Sequence, residues 1–165
     1  GFEYTVFQRG NEIVISFTGT DEWQDWLTNG QAVVANINPH LQQAATLYAN
    51  VVAAHSTATI SFTGHSLGGG LAALMGVFFN RPAVTFAQAP FRASASESVR
   101  DELLQTLSTA GSHPAVQAIR ATLAGFTNQT FMERQNRITD YSVPGEILSI
   151  TPVTALLSRI GAQRW

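Results

Sequence analysis

A chain of 165 residues with 45% hydrophobic and 12% charged side chains has the length of one domain and enough apolar material for a core, which excludes a disordered chain. Its net charge of −2, with lysines and arginines scattered, excludes a nucleic-acid footprint and a polybasic membrane patch. The absence of cysteine excludes disulfides, a thiol nucleophile and thiolate metal sites, and leaves the compartment open.

Phe2 to Phe7 and Glu12 to Thr18 alternate with period two, and Arg9-Gly10-Asn11 between them reads as a turn, so a hairpin is predicted. From Pro39 onward, Leu41, Ala44, Ala45, Leu47, Tyr48, Val51 and Val52 recur at helical spacing. Pro39 suits a first helical turn, and His40 and His55 then bracket the helix as solvated ends. Ala58 to Thr63 is a short β-prone run, Leu67 to Phe79 a long apolar helix, and Ala83 to Ala87 another strand. Strand, helix and strand at this spacing form a βαβ unit, so the fold class is α/β with a largely parallel sheet. Ser94 to Met132 reads as helices with a break at Gly111-Ser112-His113-Pro114, an insertion (94–132) over one end of the sheet. A last strand is placed at Asn136 to Tyr141 and a helix at Val153 to Trp165. No run reaches the roughly 18 to 20 apolar residues that span a bilayer. The chain has no initiator Met, opens directly on a strand and closes without a polar tail. The expectation is one incomplete domain over 1–165, a piece of a longer polypeptide.

The sharpest motif is Gly64-His65-Ser66-Leu67-Gly68, a G-x-S-x-G pattern directly after a predicted strand and directly before a predicted helix. A serine hydroxyl is a poor nucleophile unless a sharp turn exposes it to a base, and such a turn leaves no space for a β-carbon at the flanking glycines. A plain alternative is that Ser66 only caps the helix that begins at Leu67. A phosphate-binding loop lacks support, because no Lys-Ser or Lys-Thr follows the glycines. Attack on an ester carbonyl also needs donors for the oxyanion, and the backbone N–H of Leu67 is the first candidate. The second should come from Phe17-Thr18-Gly19-Thr20, at the end of the hairpin.

Ser16-Phe17-Thr18-Gly19-Thr20-Asp21-Glu22-Trp23-Gln24-Asp25-Trp26-Leu27, followed by Gly64-His65-Ser66-Leu67-Gly68-Gly69-Gly70, resembles the class 3 lipase family, the fungal-lipase-like branch of the α/β-hydrolases. The resemblance implies an α/β-hydrolase-like fold: a mostly parallel central sheet with an N-terminal antiparallel hairpin, covered by helices. It implies Ser66 as nucleophile and Thr20 as the hydroxyl residue of the oxyanion hole, although Thr20 would also serve as an N-cap. Thr18 stands where the family has an arginine, so whatever that arginine braces is in doubt.

The family's acid lies in a segment that Val143-Pro144-Gly145-Glu146-Ile147-Leu148 resembles, with Glu146 where aspartate usually stands. Asp140, six residues earlier, is the other candidate. The base is the gap. The α/β-hydrolase order is serine, acid, histidine, yet no histidine follows Glu146, and the four present are His40, His55, His65 and His113. The resemblance implies that His65 is structural and points away from Ser66. His113 would reach Ser66 only in an arrangement foreign to the family. The expectation is a further segment of the same polypeptide carrying the histidine; without it, Ser66 loses its general base.

Trp23, Trp26, Leu27, Val33, Val34 and Ile37 form an apolar face after the oxyanion loop, either a mobile lid or an ordinary core-facing helix. Leu103, Leu104, Leu107, Val116, Ile119, Leu123 and Phe126 add a second apolar surface. Together they favour an acyl-chain pocket, hence a lipase or phospholipase A-type esterase with a lipid or ester substrate and transient lipid-interface contact. The rivals are a catalytically dead lipid-binding domain and a thioesterase or peptidase on the same fold. The chemistry requires no cofactor and no metal, and no acidic loop demands calcium. Secretion is implied by the family resemblance alone.

Overall fold

The computed structural model describes residues 1–19, 32–145 and 158–165. Six strands form one sheet in the order β1-β2-β3-β4-β5-β6: Tyr4–Arg9, Glu12–Phe17, Thr59–His65, Ala83–Phe86, Ile138–Tyr141 and Ala162–Arg164. β1 and β2 are the antiparallel hairpin, and every later neighbour pairs in parallel. This is the mixed, mostly parallel sheet of an α/β-hydrolase-like fold.

The described helices are α1 (Ala32–Ala54), α2 (Leu67–Phe79), α3 (Glu97–Leu107), α4 (Pro114–Ala124) and α5 (Asn128–Arg134). Helix α2 packs on β2, β3, β4 and β5, and the other described helices pack on α2 and on one another. Strand alternation sets the buried face: Ile13, Ile15 and Phe17 of β2 and Ile60 and Phe62 of β3 point into the core, with their neighbours half-exposed. Helix α2 is apolar on every side, and all thirteen of its residues are buried, as expected of a helix at the centre of a core. It stops at Asn80, whose left-handed φ of 51° and N–H bond to the Gly76 carbonyl close its last turn. Arg134 adds side-chain bonds to the Val77 and Phe78 carbonyls (3.2 and 2.8 Å) and to Thr122 (2.8 Å). Burial holds its guanidinium below the ordinary arginine value.

Three expectations need correction. Helix α1 begins at Ala32 and takes Pro39 inside it, so His40 lies within the helix, half-buried, with its ring edge on Phe2. Pro39 was a poor start signal because burial of Ile37, Leu41, Ala44 and Ala45 outweighs the lost amide. Second, Val153 to Trp165 is not one helix: Ala162–Arg164 is a strand paired with β5, and 153–157 lie outside the described residues. A short strand of Ala, Gln and Arg carries no period-two signal, and only pairing defines it. Third, Leu103, Leu107, Val116, Ile119, Leu123 and Phe126 are core residues rather than a free apolar surface, and Ile37 is likewise fully buried.

Candidate active site

In a parallel sheet the strands all end at one edge, so β2 and β3 bring Phe17 opposite Gly64 and deliver Thr18-Gly19 beside the turn that follows His65. The turn itself is sharp. Ser66 has φ 56° and ψ −121°, a backbone conformation that L side chains rarely adopt. A β-carbon on Gly64 would collide with the Gly68 carbonyl, and one on Gly68 with the Phe17 carbonyl. These two positions admit only glycine, because strand and helix backbones touch there. The spacing of the motif is therefore a packing requirement of the corner.

Ser66 is held from three sides by main chain. Its N–H donates to the Phe86 carbonyl (3.0 Å), and its own carbonyl accepts from Gly70 (3.0 Å) and Ala89 (2.9 Å). Its side chain is not spoken for. Ser66 occupies the N-cap position of α2, yet its hydroxyl makes no capping bond, and the enclosed Oγ has no hydrogen-bond partner among the described residues. The helix-cap explanation of the serine therefore fails. An enclosed, unpaired hydroxyl is costly and calls for a reason other than stability. Leu67 begins α2, so its N–H stands among the unpaired amides at the positive end of the helix dipole. Gly19 lies against the same spot: a β-carbon built on it would sit 3.6 Å from the Leu67 nitrogen and 3.6 Å from the Ser66 β-carbon. Thr20, the next residue, lies outside the described residues, as do Trp23, Trp26 and Leu27; the Val33 and Val34 side chains are likewise not described.

Glu146 also lies outside the described residues. Asp140, the other acid candidate, is fully buried at the end of β5. Its Oδ1 accepts from the Thr85 hydroxyl (2.8 Å) and the Gln88 N–H (3.1 Å), and its Oδ2 from the Ser142 hydroxyl (2.9 Å) and Arg159 (3.3 Å). Four donors occupy this carboxylate. Residue-by-residue reading missed the partners Thr85, Gln88, Ser142 and Arg159; the one available hint was a polar Gln88 just past an apolar strand.

The described histidines are engaged elsewhere or face outward. His65 ends β3 with its side chain exposed. His113 caps α4, its Nδ1 accepting from the Ala115 N–H at 3.1 Å, which a swing toward Ser66 would break. His55 follows α1 and is exposed. Burial, with the α-amino group adding to it, lowers the His40 pKa. No group of three or more His, Asp or Glu that could hold a metal occurs among the described residues.

Residues 1–163 match the family model described as "Phospholipase-like: Tle-like phospholipase domain". An extracellular phospholipase A1 of Serratia liquefaciens is 35% identical over 86 residues, which cover 52% of this chain and 27% of that protein. Proteins named as ATG15 lipases are similar over shorter stretches: 49% over 47 residues in Kluyveromyces lactis (28% of this chain, 9% of that protein) and 43% over 51 residues in Penicillium rubens (31% and 8%). The matches thus span about a quarter of the Serratia protein and under a tenth of the fungal ones. All of these are named for hydrolysis of lipid esters.

Proposed function

This chain belongs to the Tle-like phospholipase domain family, and from that premise we propose that it supplies the nucleophile of an enzyme that hydrolyses carboxylic esters of phospholipids. The observation that carries the proposal is the Ser66 corner: a strained serine with positive φ whose enclosed hydroxyl has no partner among the described residues, at the N-terminal end of α2. Ser66 Oγ attacks the acyl carbonyl and gives its proton to a histidine base. The Leu67 N–H and Thr20 hold the oxyanion of the tetrahedral intermediate. Collapse releases the alcohol, protonated by the same base, and leaves an acyl-Ser66 that water hydrolyses by the reverse proton path. Glu146 orients the imidazole, which a further stretch of the same polypeptide contributes. Residues 1–165 act as one domain, with 94–132 inserted between β4 and β5.

Triacylglycerol is the alternative ester, and the two are separated by comparing rates on phospholipid vesicles and triacylglycerol emulsions. No described helix is long and apolar enough to cross a membrane. Secretion is the localisation we infer, on the strength of the extracellular Serratia relative.

The test is covalent labelling of the whole protein with a fluorophosphonate probe. Labelling at Ser66, lost in Ser66→Ala together with release of fatty acid from phospholipid, is the expected result. An unlabelled Ser66 in a protein that still binds vesicles would replace the enzyme with a catalytically dead lipid-binding domain.

A further inference from the structure

Asp140 sits at the centre of a buried polar cluster that reaches further than its own four donors. Gln88, fully buried, donates its backbone N–H to Asp140 and its side-chain amide to Thr85 Oγ1 (3.1 Å) and to the Ile160 carbonyl (2.9 Å). Its Oε1 accepts from the Ile160 N–H (3.1 Å), so side chain and main chain pair twice across 72 positions of sequence. Arg159 donates to Ser142 Oγ (2.6 Å) as well as to Asp140.

Two consequences meet at this cluster. Residues 140–142 and 158–160 flank the segment that contains Glu146, so the cluster ties its two ends together. The amides on either side of Gln88 extend the network: the Ala87 N–H donates to Tyr141 O (2.8 Å), and the Ala89 N–H to the carbonyl of Ser66 (2.9 Å). Ala87 is itself strained, with a φ of 46°, a conformation that persists only where surroundings over-determine it.

We propose that Asp140, Gln88 and Arg159 are positioning residues: one buried network that joins residues 140–142 to 158–160 and fixes the turn behind Ser66. This rests on Ser66 being the nucleophile. The Asp140 carboxylate contributes by ordering main chain, its two oxygens facing four donors.

The test uses the whole protein and reads kcat, KM and the rate of fluorophosphonate labelling well below the melting temperature. Asp140→Asn leaves the Arg159 charge buried and loosens the turn, and kcat is expected to fall roughly 10- to 100-fold with KM unchanged, since small displacements of reacting groups have that scale of effect. Adding Arg159→Gln removes the orphaned charge and is expected to restore kcat to within about threefold of the parent by rebuilding a neutral network. Gln88→Met leaves the charged pair intact and keeps the test open should Asp140→Asn not fold; it is expected to lower kcat about tenfold. Unchanged kcat with a lowered melting temperature in Asp140→Asn, or unchanged kcat in Gln88→Met, overturns the proposal in favour of a purely structural cluster. A loss of about 10⁴-fold that Arg159→Gln does not relieve, with a shifted acid limb of the pH profile, overturns it by making Asp140 the triad acid. Ser66→Ala is measured alongside: labelling that survives in that variant sinks the nucleophile assignment instead, independently of how the network variants behave.

Discussion

The turns after β3 and after β5 stand at the same edge of the sheet and treat their polar groups in opposite ways. After β3, glycine contacts and three main-chain bonds grip the backbone of Ser66 while its hydroxyl has no partner among the described residues. After β5, Asp140 has every oxygen occupied, and its neighbour Ser142 both donates to it and accepts from Arg159. Both side chains are buried, so burial alone does not distinguish a reactive group from a structural one. Hydrogen-bond occupancy separates these two groups: the Asp140 oxygens face four donors, whereas Ser66 Oγ has no partner among the described residues, a state it shares with Ser94 Oγ and Arg159 Nη2.

Removing the Ser66 hydroxyl is the most direct way to break that contrast. Ser66→Ala is expected to lower phospholipid hydrolysis by about 10⁴-fold or more, as for other serine nucleophiles, with the melting temperature unchanged or raised, because the strained, unpaired hydroxyl contributes nothing to stability. A stability loss in that variant would place Ser66 among the scaffold groups. Next in size, Gly68→Ala drives a methyl into the Phe17 carbonyl and is expected to destabilise the fold by about 3 kcal/mol or more, measured by denaturant unfolding. A well-folded Gly68→Ala protein would show that the corner is looser than its contacts imply.

Smaller effects sharpen the scaffold side. Arg134→Ala removes bonds to the last carbonyls of α2 and is expected to cost about 2 kcal/mol, while labelling of Ser66 at the far end of that helix proceeds normally. The smallest concerns His40. Its pKa is lower folded than unfolded, so the unfolded chain binds the proton more readily and stability falls as pH drops below about 6.5. His40→Gln is expected to flatten that acid-side decline in melts between pH 7 and pH 5.

The two turns also differ in how far they could be read from residues alone. Gly64 and Gly68 bracket Ser66 within five positions, and a β-prone run before it and an apolar helical run after it mark the corner, so the position and strain of Ser66 followed from local sequence. The hairpin, the helix over Leu67–Phe79 and the α/β class were legible for the same reason: each is a repeating pattern of apolar residues answering one buried face. Asp140 had no such signature. Its role depends on Thr85, Gln88, Ser142 and Arg159, the first of them 55 positions away, and no local periodicity encodes a contact of that range. The same limit explains β6, whose three residues become a strand only by pairing with β5, and His40, which burial of its neighbours drew into the middle of α1. Local chemistry chose the corner where Ser66 stands; long-range pairing of buried polar groups, visible only once the chain has closed on itself, surrounded the Asp140 carboxylate with donors.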